Sequence, residues 1–239
     1  MITLDRITEA DDPLLLWAAQ DMRTGARAWA HGDAAAVACR DVSRRDRLAL
    51  RGSPDDVAEL LRRIRPQVLD LNPVADAALI DALVARLDGF APVARFGWMD
   101  TTGPAPAPPA TPAPPHWLSE AEIPEVSALL KAEHPGSWAK PGYSGVRRWA
   151  GLRDAGGTLL AVGAEAWSVP EIGFVAGVAT RASARGRGLG RALCAFLTAE
   201  LIRDRSRVAL LVDNANVAAI RTYRKLGFRL RPLAAARFS

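Results

Sequence analysis

Two short stretches in the C-terminal half carry residue types that could do chemistry. The first is Arg185-Gly186-Arg187-Gly188-Leu189-Gly190, followed by Arg191. An apolar run precedes it and an apolar-periodic run follows, so it is expected to lead from a strand into a helix. The first N–H groups of a helix have no intrahelical acceptor and sit at the positive end of its dipole. Glycine lets a backbone approach a ligand closely, and arginine adds charge-assisted donors. The stretch therefore reads as an anion site with phosphate as its natural ligand. Its spacing is neither a Walker loop, which needs Gly-Lys-Ser/Thr, nor the G-x-G-x-x-G dinucleotide fingerprint. A tight turn with solvated arginines, or an arginine–glycine nucleic-acid segment, is the competing reading.

The second stretch is Val208-Ala-Leu-Leu-Val-Asp-Asn-Ala-Asn-Val-Ala-Ala-Ile-Arg-Thr-Tyr223. Asn214 or Asn216 can cap the helix that follows. Asn216, Ile220 and Tyr223 then share one helical face. A tyrosine phenol titrates near 10, so at neutral pH it holds a proton it can donate. A core tyrosine with its hydroxyl at the edge is the plainer alternative.

The elements that must position these residues follow from pattern. Thr158–Trp167 and Glu171–Thr180 are expected strands, separated by a turn around Ser168-Val169-Pro170. Leu189–Leu201 is an expected helix, Arg207–Asp213 a strand, Ala215–Leu226 a helix stopped by Gly227, and Phe228–Leu230 a short last strand. Ser119 and Glu122 have capping-box spacing, and Ile123, Val126, Leu129 and Leu130 then fall on one face. The run from Thr101 to Pro115 is nearly all Pro, Ala and Thr and reads as a semi-rigid linker. It divides the chain into an N-terminal α/β domain (1–101), a linker (102–115) and a C-terminal domain (116–239). In the first half, Pro13 opens a helix, and 26–32, 35–41 and 47–52 are strand candidates. Ser53-Pro54-Asp55-Asp56 starts a strong helix, 78–87 forms another, and 93–99 closes with a strand. Ile7–Leu14 faintly echoes Leu118–Glu125, as a duplicated fold would.

Composition sets the frame. The chain has 239 residues, 49% hydrophobic and 24% charged, with a net charge of +5. Its arginines are spread over both halves, which favours a solvated surface over a nucleic-acid footprint. Two cysteines, Cys39 and Cys194, and three scattered histidines have no metal-ligand spacing, so no metal is expected. The N-terminus lacks the basic and apolar runs of a signal peptide, and no apolar run reaches the length of a membrane span. A cytoplasmic protein with no membrane partner is the expectation.

Taken together, the two stretches resemble the GNAT acyltransferase superfamily. Arg185, Gly188 and Gly190 fit its Arg/Gln-x-x-Gly-x-Gly/Ala pyrophosphate pattern, and Asn216, Tyr223 and Gly227-Phe228 fit its next element. The resemblance covers about residues 117 to 231. It implies a GNAT fold in the C-terminal half, an α/β (α+β) domain with a mixed, splayed central sheet flanked by helices. The smaller N-terminal α/β half would be a degenerate copy, as in glycine N-acyltransferase-like proteins. It implies acetyl-CoA as cosubstrate and a primary amine as acceptor. Val178, Ala179 and Thr180 would hold pantetheine through their backbone, a backbone N–H such as that of Val178 would steady the oxyanion, and Arg185, Gly186, Arg187, Gly188, Leu189, Gly190 and Arg191 would form the pyrophosphate loop. Asn216 would contact the pantetheine arm, and Tyr223 would protonate the departing thiolate. Cys194 is expected to be a buried structural thiol. Glu165, Glu171, His134 and a water are candidates for the general base. Trp138, Tyr143 and Trp149, in or near a 134–150 acceptor loop, are candidates for the acceptor site. The alternatives are a non-catalytic acyl-CoA sensor and a basic nucleic-acid-binding protein. A homodimer is compatible with the degenerate half.

Overall fold

The structure, a computed structural model, describes residues 12–22, 25–104, 106, 107 and 109–238. Residues 7–11 of the internal echo lie outside the described residues. The chain divides into two compact units. One runs to Trp98 and takes in Arg231 onward; the other is Met99–Leu230.

In the first unit, helix α1 (Pro13–Ala19) starts at Asp12, whose carboxylate accepts the N–H groups of Leu14 at 2.8 Å and Leu15 at 3.3 Å. Strands β1 (Arg27–His31), β2 (Ala34–Val42) and β3 (Arg45–Arg51) form an antiparallel meander. Helix α2 (Pro54–Val68) then leads to β4 (Asn72–Asp76), parallel to β3 from Arg47↔Asn72 to Ala49↔Val74. Helix α3 (Ala77–Val84) and β5 (Phe90–Thr101) follow. Leu233–Ala235 of the last strand, β11 (Arg229–Phe238), pair antiparallel with β4. The apolar face of α2, carrying Val57, Leu60, Leu61, Ile64 and Val68, shares a core with Leu48 and Leu50 of β3.

In the second unit, β6 (His116–Trp117), β7 (Val146–Arg153), β8 (Leu159–Ala166) and β9 (Ile172–Thr180) pair antiparallel in that order. Helix α4 (Ile123–Glu133) precedes β7 and packs on β8 and β9. Its start carries the expected capping box: the Ser119 N–H donates to the Glu122 carboxylate at 2.9 Å. Helix α5 (Leu189–Leu201) connects β9 to β10 (Arg207–Asp213), and α6 (Val217–Arg224) follows. Leu193, Leu197 and Leu201 of α5 share one core with Ile220 and Tyr223 of α6 and with Leu152, Leu160, Val175 and Leu210 of the strands.

The chain runs twice through the same succession. It is β2-β3-α2-β4-α3-β5 in one part of the chain and β8-β9-α5-β10-α6-β11 in the other, each with a parallel strand pair across its first helix.

Three strands differ from expectation. Strand β7 occupies part of the expected acceptor loop. Its adjacent Arg147 and Arg148 hide the alternation, and both guanidiniums pair with Glu165 of β8. Strand β4 is five residues with a proline, below the length at which pattern is legible. Strand β11 is ten residues rather than three; Pro232 and three consecutive alanines mask it. No helix among the described residues is long and apolar enough to cross a membrane.

Candidate functional site

Strands β9 and β10 start side by side and then part. Their parallel register covers Ile172↔Arg207, Gly173↔Val208 and Phe174↔Ala209 and stops there. Strand β9 stays paired with β8 as far as Thr180. From Val175 onward the edge of β9 toward β10 therefore has no strand partner among the described residues. Its backbone donors and acceptors on that side are open to a ligand.

The separation coincides with a bulge. Val162 pairs with Ala179 and Ala164 with Ala176, so β9 carries one residue more than β8 between them. Gly177, at φ +62°, accommodates it, and a Cβ there would lie 2.7 Å from Trp149 Cη2 and 3.2 Å from the Ala139 Cβ. Trp149 is buried beneath the bulge, with its indole Nε1 lacking a hydrogen-bond partner.

Past Thr180 a short 3₁₀ turn (Ala182–Ala184) leads into the glycine loop. Arg185 Nε donates to the Thr180 carbonyl at 3.1 Å, and its terminal nitrogen donates to the Glu133 carboxylate at the end of α4 at 2.8 Å. Arg185 is thus a brace that fixes the loop to the strand and to α4. Gly188 is the N-cap of α5 at φ +78°, a left-handed conformation that disfavours a side chain, and the linker's Pro109 Cγ lies 3.2 Å from where a Cβ would be. The Ala192 N–H bonds back to the Gly188 carbonyl at 3.0 Å. The N–H groups of Leu189, Gly190 and Arg191 precede it and have no carbonyl one turn back within the helix. No side chain caps this end, and its first turn has no acid. Arg187 is exposed, and Arg191 Nε is buried without a hydrogen-bond partner. A ring of free N–H groups, the positive end of a helix and an orphaned guanidinium nitrogen fit a diphosphate.

On α6, Asn216 is the N-cap; its side-chain oxygen accepts the Ala219 N–H at 3.1 Å. Tyr223 is buried, its ring 5.7 Å from that of Phe228. Its hydroxyl is within hydrogen-bonding reach of the Cys194 thiol on α5. Burial, with Cys194 adding to it, pushes the phenol well above its ordinary value, so it is protonated at every physiological pH. Burial likewise pushes the Cys194 thiol up to about 12, which makes it an inert neutral group.

The base candidates are scattered. Glu165 is buried with both carboxylate oxygens held by guanidiniums, Arg148 at 2.8 Å, Arg205 at 2.9 Å and Arg147 at 3.6 Å. That arrangement is a structural ion cluster. Glu171 is half-buried in the turn before β9, and its carbonyl accepts the Ser206 hydroxyl at 3.1 Å. His134 is exposed at the end of α4. Of the aromatic acceptor candidates, Trp149 is core, Tyr143 borders a cavity and Trp138 is exposed. Sequence reasoning missed the bulge at Gly177 and the Arg185–Glu133 brace. An isolated glycine inside an apolar strand was the available signal for the first; nothing local announces a bond between residues 52 positions apart.

Residues 151–238 match the family model described as FR47-like protein. No curated protein matches the chain. Among solved structures, the chain is similar to a GCN5-related N-acetyltransferase from Kribbella flavida, with 18% identity, TM-score 0.65, and 95% of this chain and 96% of that chain covered. It is similar to a GNAT-family acetyltransferase from Colwellia psychrerythraea, with 14% identity, TM-score 0.58, and 100% and 98% covered. A GNAT-family protein from Novosphingobium aromaticivorans has 22% identity and TM-score 0.58, with 96% and 99% covered. These likenesses show the fold: a mixed α/β architecture with helices flanking a mixed sheet, as in GNAT structures.

Proposed function

We propose that the chain is a GNAT-superfamily N-acyltransferase that moves the acetyl group of acetyl-CoA to a primary amine by direct attack. The observation that carries this reading is the uncapped, acid-free start of α5, with Arg191 Nε buried and unpartnered, beside the strand edge that opens after Phe174. The backbone N–H groups of Arg187 to Arg191 hold the diphosphate, and Gly186 and Gly188 let it approach. Arg185 holds the loop in shape through Thr180 and Glu133. The open backbone of Val178, Ala179 and Thr180 hydrogen-bonds the pantetheine arm, and Asn216 sets the start of α6 beside it. Acetyl-CoA supplies the activated thioester. A backbone N–H at the bulge, that of Val178, steadies the carbonyl oxygen, and Tyr223 donates its proton toward the departing sulfur. Cys194 needs no covalent part in direct attack.

The domain division at 1–101, 102–115 and 116–239 belongs to the same proposal. In it the N-terminal half is a degenerate copy of the catalytic one, supported by the shared succession of elements. Calorimetry with acetyl-CoA, then an amine panel read by released CoA thiol, tests the function. Saturable binding with amine-dependent release is expected. No heat with any acyl-CoA overturns the reading.

A further inference from the structure

A cavity of about 340 Å³ lies between α4 and the loop that follows it. Ser127 and Lys131 border it from α4, Lys140 and Tyr143 from the loop, and Pro135 and Pro141 form stiff walls. Lysine is scarce in this chain: Lys131, Lys140 and Lys225 are the only three among 31 basic residues. Two of the three border this one cavity. The carboxylates nearest in sequence do not neutralise them, because arginines hold them elsewhere. Glu122 and Glu125 pair with Arg153 at 2.8 and 2.9 Å, and Glu133 pairs with Arg185 at 2.8 Å. Neither lysine has an ion-pair partner among the described residues.

The loop is built rather than loose. The buried Ser137 hydroxyl donates to the Ala139 carbonyl at 2.8 Å, and the Tyr143 N–H donates to the Lys140 carbonyl at 3.1 Å. The same loop reaches the strand bulge, since the Ala139 Cβ lies 3.2 Å from the Cβ position of Gly177. The loop that borders the cavity therefore also borders the part of β9 that handles the acyl group in the reading above.

We propose that this cavity selects the acceptor: an amine carrying an anionic group, carboxylate or phosphate, held by Lys131 and Lys140. The inference rests on the acyl-transfer reading. Two unneutralised ammonium groups raise the local concentration of anions and repel a simple cationic amine. The volume suits a small molecule. In this proposal the anionic end sits between the lysines, and the amine is left for the acyl group.

Two matched pairs of acceptors test it: β-alanine against propylamine, and O-phosphoethanolamine against ethanolamine. In at least one pair the anionic member is expected to have a kcat/KM at least about tenfold higher, with the preference shrinking as salt rises. The pair that shows it identifies carboxylate or phosphate. The double variant Lys131→Gln/Lys140→Gln loses the preference, and Lys131→Arg/Lys140→Arg keeps it. Equal use within both pairs, or a preference unchanged in the glutamine variant, overturns the inference while leaving acyl transfer standing. If acetyl-CoA does not bind, the functional reading fails separately. Calorimetric titration with β-alanine and O-phosphoethanolamine then still decides the cavity: binding lost in the glutamine variant supports it, and no binding overturns it.

Discussion

Helices α2 and α5 occupy the same place in the two successions, each following a strand and crossing to a parallel one, yet their first turns are opposites. The start of α2 reads Ser53-Pro54-Asp55-Asp56; that of α5 reads Gly188-Leu189-Gly190-Arg191. Ser53 accepts the Asp56 N–H at 3.3 Å, and Asp33 accepts the Ser53 N–H at 2.9 Å. The Asp56 carboxylate in turn accepts the Asp33 N–H at 3.0 Å. The positive end of α2 is thus filled by carboxylates of the chain itself, and an incoming phosphate would meet like charge. The positive end of α5 has glycine where α2 has its cap and arginine where α2 has Asp56. The strands before them differ too. Strand β3 keeps unbroken register with β2 from Arg47 to Arg51, whereas β9 bulges at Gly177. So do the second helices. The seventh residue of α3 is the buried Leu83, and that of α6 is Tyr223. The same succession of elements therefore carries one helix start filled by the chain's own carboxylates and one that no side chain caps.

Rewriting the start of α5 in the image of α2 is the largest test of that contrast. Gly190→Asp/Arg191→Asp places two acids in the first turn, where the helix dipole favours them, so folding is expected to persist. Acetyl-CoA affinity should fall at least about 100-fold, roughly 2.7 kcal/mol, by calorimetry. Arg191→Gln, which removes charge without reversing it, should cost about tenfold. Unchanged affinity in the double variant would remove α5 from the binding site.

Next in size is the bulge. Gly177→Ala puts a methyl group 2.7 Å from the Trp149 ring at a backbone angle that alanine resists. A loss of about 2 kcal/mol in unfolding free energy is expected from strain and crowding. Turnover should fall with it if the bulge positions the acyl group. Stability lost with turnover intact would confine Gly177 to packing.

The contrast also explains what was legible in the sequence. Helix starts announce themselves locally: Ser53-Pro54-Asp55-Asp56 and the Ser119–Glu122 box act over one turn, and both were read correctly. The glycine–arginine loop was legible as a helix start for the same reason. Strand β7 was hidden because the partner that allows Arg147 and Arg148 into a strand is Glu165, across a register no local pattern encodes. The full length of β11 was hidden because alanine and proline form a strand there only through pairing with β4. The cavity between Lys131 and Lys140 exists only once the loop folds back onto α4.

A smaller effect is expected at the second helices. Tyr223→Phe makes α6 resemble α3, keeping the ring and removing the hydroxyl. Turnover should drop about 10- to 100-fold while acetyl-CoA affinity stays within about twofold. Equal turnover would take Tyr223 out of the acid role and leave it a core residue beside Phe228.

The smallest effect belongs to the filled helix start. Asp33→Asn keeps the shape at the start of α2 and removes a charge. The Ser53 N–H, above all, holds the Asp33 carboxyl below its usual value. A carboxyl with a depressed folded pKa stabilises the fold above its unfolded pKa and loses that contribution as pH falls through the folded value. The wild-type unfolding midpoint should therefore decline more steeply below about pH 4 than that of the variant. Acetyl-CoA affinity should be unchanged at neutral pH. Parallel acid profiles would show that the Asp33 charge does not stabilise the α2 start. Altered acetyl-CoA binding would break the contrast from the other side, because it would mean that the filled helix end still takes part in the open one's chemistry.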